Sequence, residues 1–291
     1  MPPPLWMQSA SANPQSYTVV QELGKGGSGK AFLVRGKTDG LFHVAKQIVC
    51  IGDRYSAAKA SYALHETRLL FVLRHPHVVE LRDFYPKSSN YFIVMEFCEQ
   101  GDLARHIEHA IMQGRALFSV ERVYSWWYQI LDAVDFCHNK GVIHRDLKPR
   151  NVFLDRNLDV KIGDFGVAAL VSFPPAVEIV GTATYHAPEV RSALNFSARS
   201  DIWAVGCIMW DAMTLRPAGG EPLSLQALNL QLIDAYGPPA RELLVSHLQV
   251  PAPPQLPASA SPTHGFTSDR AGGMRAGMRS LTSSAALPGG P

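Results

Sequence analysis

Alternating apolar and polar positions in the first hundred residues predict short β-strands. Four runs rich in β-branched and aromatic residues span 17–23, 31–35, 42–49 and 91–97, with turn-forming residues between them. One stretch with helical spacing, 61–73, lies between the third and fourth runs. Since helical spacing dominates the residues that follow, the pattern predicts a small sheet-rich lobe joined to a larger helical one.

Two stretches in the second half have the periodicity of buried helices. In the first, apolar residues recur at spacings of four and three until Gly141 ends the pattern: Val123, Trp127, Ile130, Val134 and Cys137. In the second, Asp201 is expected to cap a helix that is apolar on most sides, as in the core of a domain. Further helices are predicted over 224–235 and 241–250.

The two ends of the chain differ in composition from the region between them. Residues 1–15 are rich in Pro, Ser, Ala and Gln, and residues 251–291 in Pro, Ala, Ser and Gly. Segments with so few large apolar side chains cannot bury enough surface to fold alone, so both are predicted to be disordered. The folded domain is therefore expected to span 16–250.

Charge, cysteine content and hydropathy argue against several classes of protein. The net charge is +2, too small to attract nucleic acid or a membrane surface, so neither partner is expected. The four cysteines lack zinc-ligand spacing and are expected to be the reduced thiols of a cytoplasmic protein. The most apolar stretch, 202–215, is interrupted by Asp211 and is shorter than the roughly 20 residues of a membrane span.

A glycine-rich turn, Gly24-Lys-Gly26-Gly-Ser-Gly29, separates the first two predicted strands. Such a turn can be an ordinary flexible hairpin. A dinucleotide-binding fold is disfavoured, because its glycine loop opens a helix and this one precedes a strand. The arrangement favours a glycine flap over nucleotide phosphates, where the missing side chains let backbone N–H groups approach.

Lys46 and Glu66 are lone charges on faces that are otherwise apolar. Alternation along the third strand places Lys46 with Phe42, Val44 and Ile48. Helical spacing places Glu66 on a stripe with apolar residues: Tyr62, Leu69, Leu70 and Leu73. An unpaired charge there is costly, so the two are predicted to pair, although a lysine at a strand edge can also reach solvent. Such a pair is suited to holding the lysine against the α- and β-phosphates of a bound nucleotide.

Residues 144–151, His-Arg-Asp-Leu-Lys-Pro-Arg-Asn, concentrate groups suited to phosphoryl transfer. Asp146 is predicted to orient the acceptor hydroxyl, and Lys148 to neutralise charge on the transferred group. Asn151 is predicted to supply one oxygen to Mg²⁺. Asp164 of Asp-Phe-Gly, eighteen residues after Asp146 and next to the strand-like segment 160–163, is predicted to supply another.

These motifs continue in order through Ala187-Pro188-Glu189 and Asp201-Ile202-Trp203. From about residue 17 to residue 215 the chain resembles the eukaryotic protein kinases. Lys148 within its motif, together with Thr182, resembles the Ser/Thr type. The stretches 93–103, 127–130 and 151–154 resemble the never-in-mitosis-A-related (NEK) kinases.

The resemblance implies a bilobal α+β fold. Its N-lobe, 16–96, would hold a small antiparallel sheet and one main helix, and its C-lobe, 97–250, would be mostly helical. It also implies ATP-dependent phosphorylation of Ser/Thr hydroxyls on protein substrates, with ATP and Mg²⁺ as cofactors. Centrosomal, ciliary or nuclear localisation would fit the subfamily, beside the cytoplasm.

The same resemblance assigns residues around the adenine and along a regulatory spine. Backbone groups of Glu96 and Cys98 would meet the adenine, with Met95 as gatekeeper behind them. Ala45 and Phe153 would sandwich the ring, and Leu23 would cover it. The spine would comprise four residues: Leu70, Leu81, His144 and Phe165.

Two positions depart from the family pattern. Glu178 stands where related kinases often carry a phosphorylated Ser or Thr, and we expect it either to pair with Arg145 or to be an ordinary solvated glutamate. Glu189 lacks the arginine that normally follows later in the chain, and Arg241 is the nearest candidate. The end of the C-lobe is therefore expected to be shortened or diverged.

Three functions stay open at this point. The first is an active Mg²⁺/ATP-dependent Ser/Thr kinase, and the second is a truncated kinase-like module that binds nucleotide or partners with weak or no phosphotransfer. The third, a nucleotide binder unrelated to kinases, would require all the later motifs to be coincidences.

Overall fold

A five-stranded antiparallel sheet forms the first part of the structure, a computed structural model that describes residues 16–26, 29–50, 56–88, 90–114, 117–170, 181–193, 195–215 and 236–248. The strands are β1 (Tyr17–Gly26), β2 (Gly29–Gly36), β3 (Phe42–Val49), β4 (Leu81–Lys87) and β5 (Asn90–Glu96). They are ordered β1-β2-β3-β5-β4. Helix α1 (Ser56–Val72) connects β3 to β4.

Strand β3 has the predicted bounds, but its first residue, Phe42, is exposed rather than placed on an apolar face as predicted. Ile48 is buried, whereas Phe42 is 48% exposed. The Phe42 ring lies 6.5 Å from that of Phe97 and 5.9 Å from the Arg35 guanidinium, at the surface. Alternation therefore failed at the first residue of the strand, where the surroundings are solvent rather than core.

Helix α1 buries most of the predicted stripe. Glu66, Leu69, Leu70 and Leu73 are buried, the last of them just beyond the helix. Tyr62 is an error in the prediction, because its side chain is 50% exposed and its neighbour Ala63 is buried instead. A small residue suits this position, where the helix backbone packs against the sheet.

Helices dominate the second part, and short strands connect them. The helices are α2 (Leu103–Met112), α3 (Val120–Asn139), α4 (Pro188–Ala193), α5 (Ala198–Thr214) and α6 (Gly237–Leu248). The strands are β6 (Gly101–Asp102), β7 (Val142–Ile143), β8 (Val152–Leu154), β9 (Val160–Ile162) and β10 (Ala169–Leu170). They form the sheets β6-β8-β9 and β10-β7. The expected α+β arrangement, sheet first and helices after, is confirmed.

Helices α3 and α5 form the centre of the helical part. All five periodic residues of α3 are buried, and Gly141 follows the helix with a positive φ of 73°. Helix α5 is buried along nearly its whole length, as expected. Its N-cap is not Asp201, however. Ser197 is the N-cap, and its N–H donates to Ser200 Oγ at 3.0 Å, so the helix begins one turn earlier and the carboxylate of Asp201 is available for another contact.

Helix α6 begins four residues before the stretch predicted at 241–250 and packs on α5. A Cβ at Gly206 would lie 3.0 Å from Leu248 and 3.1 Å from His247, so the missing side chain permits this close approach. Leu244 and Leu248 are buried in the same cluster as α5. The helix predicted over 224–235 and the disordered ends predicted at 1–15 and 251–291 lie outside the described residues. Among the helices that are described, none is long and apolar enough to cross a membrane.

Candidate active site

Lys46 joins β3, α1 and the start of the Asp-Phe-Gly segment. Its Nζ donates to Glu66 Oε1 and Oε2 at 2.8 and 2.9 Å, and to Asp164 Oδ1 at 2.8 Å. The expected pairing of Lys46 with Glu66 is therefore present. The Lys46 and Glu66 side chains are only 11% and 3% exposed, so the pair is held in a low-dielectric setting.

Burial and charge act in opposite directions on these three groups. Burial disfavours the charged form of Lys46, but the carboxylates of Glu66 and Asp164 outweigh it and raise the lysine pKa above its usual value. Burial also opposes ionisation of Asp164, and the adjacent Lys46 overcomes it, so the pKa of Asp164 is lowered. For Glu66 burial prevails over Lys46, and its pKa is raised. A cation thus sits beside an ionised Asp164 where phosphate charge would need neutralising.

Asp164 and Phe165 occupy a turn with unusual backbone geometry. Asp164 has a φ of 62°, in the left-handed region, and opens a 3₁₀ turn over Phe165–Val167. Phe165 is fully buried, and its ring lies 4.8 Å from that of His144. Leu70 belongs to the same hydrophobic cluster as Phe165, and Leu81 packs against it. Of the four residues assigned to the spine, His144 and Phe165 are thus in direct contact, and Leu70 and Leu81 pack in the same large core.

The catalytic-loop residues form one hydrogen-bonded group around Asp146. Lys148 Nζ donates to Asp146 Oδ2 at 2.7 Å and to Thr182 Oγ1 at 2.9 Å. The Thr182 N–H donates to Asp146 Oδ1 at 2.9 Å. Asn151 Nδ2 donates to the Asp146 carbonyl at 2.8 Å and to its Oδ2 at 3.1 Å. Both carboxylate oxygens of Asp146 are therefore fixed in direction by neighbours.

Asp201 anchors this loop to helix α5, a contact that sequence reasoning did not predict. Its Oδ2 accepts from the His144 N–H at 2.8 Å and from His138 Nε2 at 2.9 Å, and its Oδ1 accepts from the Arg145 N–H at 3.0 Å. Arg145 has a φ of 70°, so the anchored backbone is also strained. The available signal was a buried acid beside an apolar helix, which we interpreted as a cap.

Gly181 brings the segment after residue 180 close to the catalytic loop. Its φ is 86°, and a Cβ there would lie 2.7 Å from the Arg145 carbonyl and 3.0 Å from Asp146 Oδ1. Only glycine accommodates both this conformation and this approach. The close contact places the neighbouring Thr182 within reach of Asp146.

The ligands predicted for Mg²⁺ fit a hard divalent cation. Within the described part of the chain, Asn151 Oδ1 and Asp164 Oδ2 accept no hydrogen bond. The other terminal atom of each side chain is bonded: Asn151 Nδ2 donates to Asp146, and Asp164 Oδ1 accepts from Lys46. Amide and carboxylate oxygens suit Mg²⁺, which commonly takes one or two protein ligands and completes its shell with water and phosphate oxygens. These two residues can therefore hold such an ion together with a bound phosphate chain.

The residues assigned to the adenine lie on β1, β3, β5 and β8, except Cys98, which lies two residues after the end of β5. Ala45 is buried and is paired in register with Val94, and the adjacent Met95 is half-buried against the main core. Phe153 is half-buried on β8, and Leu23 is half-buried on β1. Cys98 is buried, and burial raises the pKa of its thiol to about 12, so this cysteine is a neutral thiol.

The glycines of the β1–β2 hairpin do not share one role. A Cβ on Gly29 would lie 2.0 Å from the Gln47 carbonyl, so glycine is required there by contact between β2 and β3. A Cβ on Gly24 would meet no atom of the described residues within 4 Å. Gly26 pairs with Gly29 at the end of the described ladder. Among the described residues, Gly24 thus has open space beside it, whereas Gly29 serves the sheet.

Arg145 lies against an aromatic ring. Its guanidinium carbon is 4.6 Å from the centroid of Phe196, and the residue is buried. A cation over an aromatic face is stabilised by the ring quadrupole. Glu178, the expected partner of Arg145, lies outside the described residues.

A groove of about 390 Å³ opens beside Lys148 and Thr182. Its apolar lining includes Ala104, Ile107 and Pro149. In its wall, the Tyr185 hydroxyl donates to Asp211 Oδ2 at 2.8 Å. The groove therefore lies beside two residues, Lys148 and Thr182, that are hydrogen-bonded to Asp146.

Glu189 is buried, 8% exposed. No cationic side chain of the described residues forms an ion pair with it, and the side chain of its candidate partner Arg241 is not among those described. The missing arginine that the sequence suggested is thus not replaced within the described part of the chain.

Comparison with known proteins points to one family. A family model for the protein kinase domain matches residues 17–232. Serine/threonine-protein kinase Nek1 of Mus musculus is 33% identical over 229 residues, covering 77% of this chain and 18% of that protein. Nek5 of Homo sapiens is 32% identical over 253 residues, covering 83% and 35%. Nek6 of Oryza sativa subsp. japonica is 36% identical over 205 residues, covering 70% and 38%. The chain thus spans between about a fifth and two fifths of the length of these relatives.

Proposed function

Since this chain belongs to the protein kinase family, with Nek serine/threonine kinases among its relatives, we propose that it transfers the γ-phosphoryl group of Mg-ATP to Ser and Thr hydroxyls of proteins. One observation carries the proposal. Lys46 contacts Glu66 and Asp164 at the same time, both at 2.8 Å. This contact brings the sheet, helix α1 and a metal-ligand residue into the relation that phosphoryl transfer requires.

Each residue has a distinct part in the proposed reaction. Lys46 holds the α- and β-phosphates, while Asn151 and Asp164 hold Mg²⁺, which when bound neutralises charge on the β- and γ-phosphates. Asp146 orients the acceptor hydroxyl and takes its proton. Lys148 stabilises the charge that develops on the transferred group. Neighbouring donors already fix the direction of the Asp146 carboxylate, which reduces the reorganisation needed during the reaction.

The Ser/Thr preference is supported by Thr182. Its hydroxyl is bonded to Lys148, and its N–H is bonded to Asp146. It therefore helps to form the surface on which a short aliphatic hydroxyl must lie to reach Asp146. The groove next to Lys148 supplies room for the peptide that carries this hydroxyl.

The test is phosphorylation of casein with Mg-ATP, followed by identification of the phosphorylated amino acid. Asp146→Asn should lower transfer by at least about a hundredfold while nucleotide binding is kept. Asp135→Asn, an exposed aspartate on α3, is the matched control and should transfer like the wild type. If the wild type binds Mg-ATP and phosphorylates neither casein nor itself, the kinase proposal is wrong.

A second candidate is a kinase-like module that binds nucleotide and transfers phosphate weakly or not at all. The observation that favours it is the buried Glu189, for which the described residues supply no cation. A buried carboxylate without a partner destabilises the segment that carries it. Under this alternative, wild type and Asp146→Asn would show the same low transfer, and Glu189→Gln would raise the melting temperature without raising transfer.

A further inference from the structure

A half-buried ion pair links β5, which leads into residues 96–98, here called the hinge, with β9, which leads into Asp164. Lys161 Nζ lies 3.0 Å from Glu96 Oε1, and their side chains are 16% and 17% exposed. Glu96 ends β5, and Lys161 is the middle residue of β9, three positions before Asp164. The pair therefore joins the two parts of the chain that border the proposed nucleotide site.

The Glu96 carboxylate is held by a second donor. The Glu80 N–H donates to the same oxygen, Oε1, at 2.7 Å, and the Glu96 N–H donates back to the Glu80 carbonyl at 3.0 Å. These reciprocal bonds fix both the main chain and the side chain of Glu96. With Lys161 they form a unit of three residues, Glu80, Glu96 and Lys161, which we call the hinge clasp.

The clasp lies next to the residues assigned to the adenine. Lys161 is paired in register with Phe153 on β8, and Glu96 directly follows Met95. Directly paired residues of neighbouring strands carry their side chains on the same face of a sheet, so the Lys161 side chain lies beside that of Phe153. The clasp thus involves the strands that also carry residues assigned to the adenine. Loss of the ion pair would remove the contact between Glu96 and β9, so Phe153, which is paired with Lys161, could move relative to the Glu96 backbone.

We propose that Lys161 is a positioning residue for the nucleotide: through Glu96 it sets the spacing between the hinge backbone and the Phe153 side chain, one of the two that would sandwich the adenine ring. The inference rests on the proposed function, because it assumes that adenine binds there. It assigns work to the side chain of Glu96, whereas the resemblance assigned only its backbone. Lys161 does not touch the nucleotide in this scheme and takes no part in phosphoryl transfer.

An affinity series tests the clasp. Binding of adenosine and of Mg-ADP is measured by calorimetry for the wild type, Lys161→Met, Lys161→Arg and Glu96→Gln. Removing a hydrogen-bonded, half-buried charge should weaken both ligands by about three- to tenfold. Lys161→Arg should recover most of the loss, because it restores a donor and a charge. Glu96→Gln is nearly isosteric, so it provides a second variant should Lys161→Met fold poorly.

Arg82→Met is the matched control, because Arg82 forms an exposed ion pair with Glu80, at 3.0 Å, beside the clasp. It should leave both affinities unchanged. Affinities of Lys161→Met and Glu96→Gln equal to those of the wild type would overturn the proposal. So would an equal loss in Arg82→Met, since the effect would then come from general weakening of the region. A wild type that binds neither ligand would instead refute the proposed function on which the clasp rests.

A steady-state measurement separates positioning from a merely structural role. Lys161→Met should raise the KM for ATP by a similar three- to tenfold factor and change kcat by less than about twofold. If kcat and KM were unchanged while the melting temperature fell, Lys161 would be only a structural residue.

Discussion

Lys148 and Thr182 are joined by a hydrogen bond of 2.9 Å, and the same lysine nitrogen lies 2.7 Å from Asp146. The threonine comes from the segment after residue 180, whereas the other two residues belong to the catalytic loop. The bond can therefore form only when that segment packs against the catalytic loop. The Thr182 hydroxyl is thus one of two partners that fix the position of the lysine nitrogen.

Replacing that hydroxyl should lower turnover. We expect Thr182→Val to reduce kcat by about ten- to a hundredfold, because Lys148 loses one of its two hydrogen-bond partners and with it part of its fixed position beside Asp146. Thr182→Ser keeps the hydroxyl and should stay within about threefold of the wild type. Steady-state phosphorylation of a Ser/Thr peptide measures both.

Thr184→Val serves as the control, since this nearby threonine donates no hydrogen bond to the described catalytic residues. Similar losses for Thr182→Val and Thr184→Val would contradict a specific role for the Thr182 hydroxyl.

Stability and activity should separate at the pair formed by Lys46 and Glu66. Lys46→Met leaves the Glu66 carboxylate buried without its cation and should destabilise the fold by about 3 kcal/mol. The double variant Lys46→Met/Glu66→Leu removes the stranded charge, so most of that stability should return. Urea unfolding measures these changes.

Phosphoryl transfer should be lost in both of these variants, because neither can hold the phosphates. Recovery of transfer in the double variant would show that Lys46 serves only the fold. Failure of the double variant to regain stability would contradict the burial argument.

His65 connects helix α1 to the segment that follows Asp164. His65 directly precedes Glu66 in the sequence, and its Nε2 lies 2.9 Å from the Ala168 carbonyl oxygen. We expect His65→Leu to lower kcat by about three- to tenfold, because the helix that carries Glu66 loses a part-buried hydrogen bond to the segment after Asp164. His65→Gln retains a donor and should recover part of the loss.

Hydrogen exchange of helix α1 should rise in His65→Leu. The control is Tyr62→Ala on the same helix, where the side chain is half exposed. Unchanged exchange together with unchanged kcat in His65→Leu would refute the tether.

Acid should remove the contribution of Asp164 to stability. Burial raises the pKa of Asp164, but the nearby Lys46 lowers it by more than that, so the pKa in the folded state lies below the ordinary value of 3.8. A lowered folded pKa means that the stabilisation is fully present above the unfolded pKa and is lost as the pH falls through the folded one. The stability difference between wild type and Asp164→Asn should therefore stay constant above about pH 5 and decline below about pH 4. Urea unfolding at a series of pH values measures it, and a difference that grows on acidification would contradict the assigned direction.

The parts of the fold that could be predicted were those with regular patterns. Strand β3 and helix α3 have clear periodicity, and the structure has both. Strand β4 was missed, because Arg82, Asp83 and Pro86 interrupt its alternation. This strand is at the edge of the sheet, where proline is tolerated, so tertiary position rather than local propensity determined it.

The candidate site was predictable where the chemistry is contiguous in sequence. Residues 144–151 come as one block, and the pairing of Lys46 with Glu66 followed from two lone charges. The side chains of Glu96 and Lys161 gave no such signal, because each resembles an ordinary surface charge until the fold brings them together. Asp201 was misread for a related reason: an acid near a helix start is usually a cap, and only the structure shows its contacts with His144 and Arg145.

The single carboxylate of Asp201 has a consequence for how the protein fails. It accepts from two backbone N–H groups of the catalytic loop and from one histidine, and it belongs to the helix at the centre of the core. Unfolding of that helix would break its two bonds to the loop and its bond to His138 together. Along this route, heat or a destabilising substitution would therefore abolish catalysis and unfold the core in one cooperative step. A partly unfolded sample would then contain fully competent molecules and unfolded molecules, but few folded molecules of reduced activity.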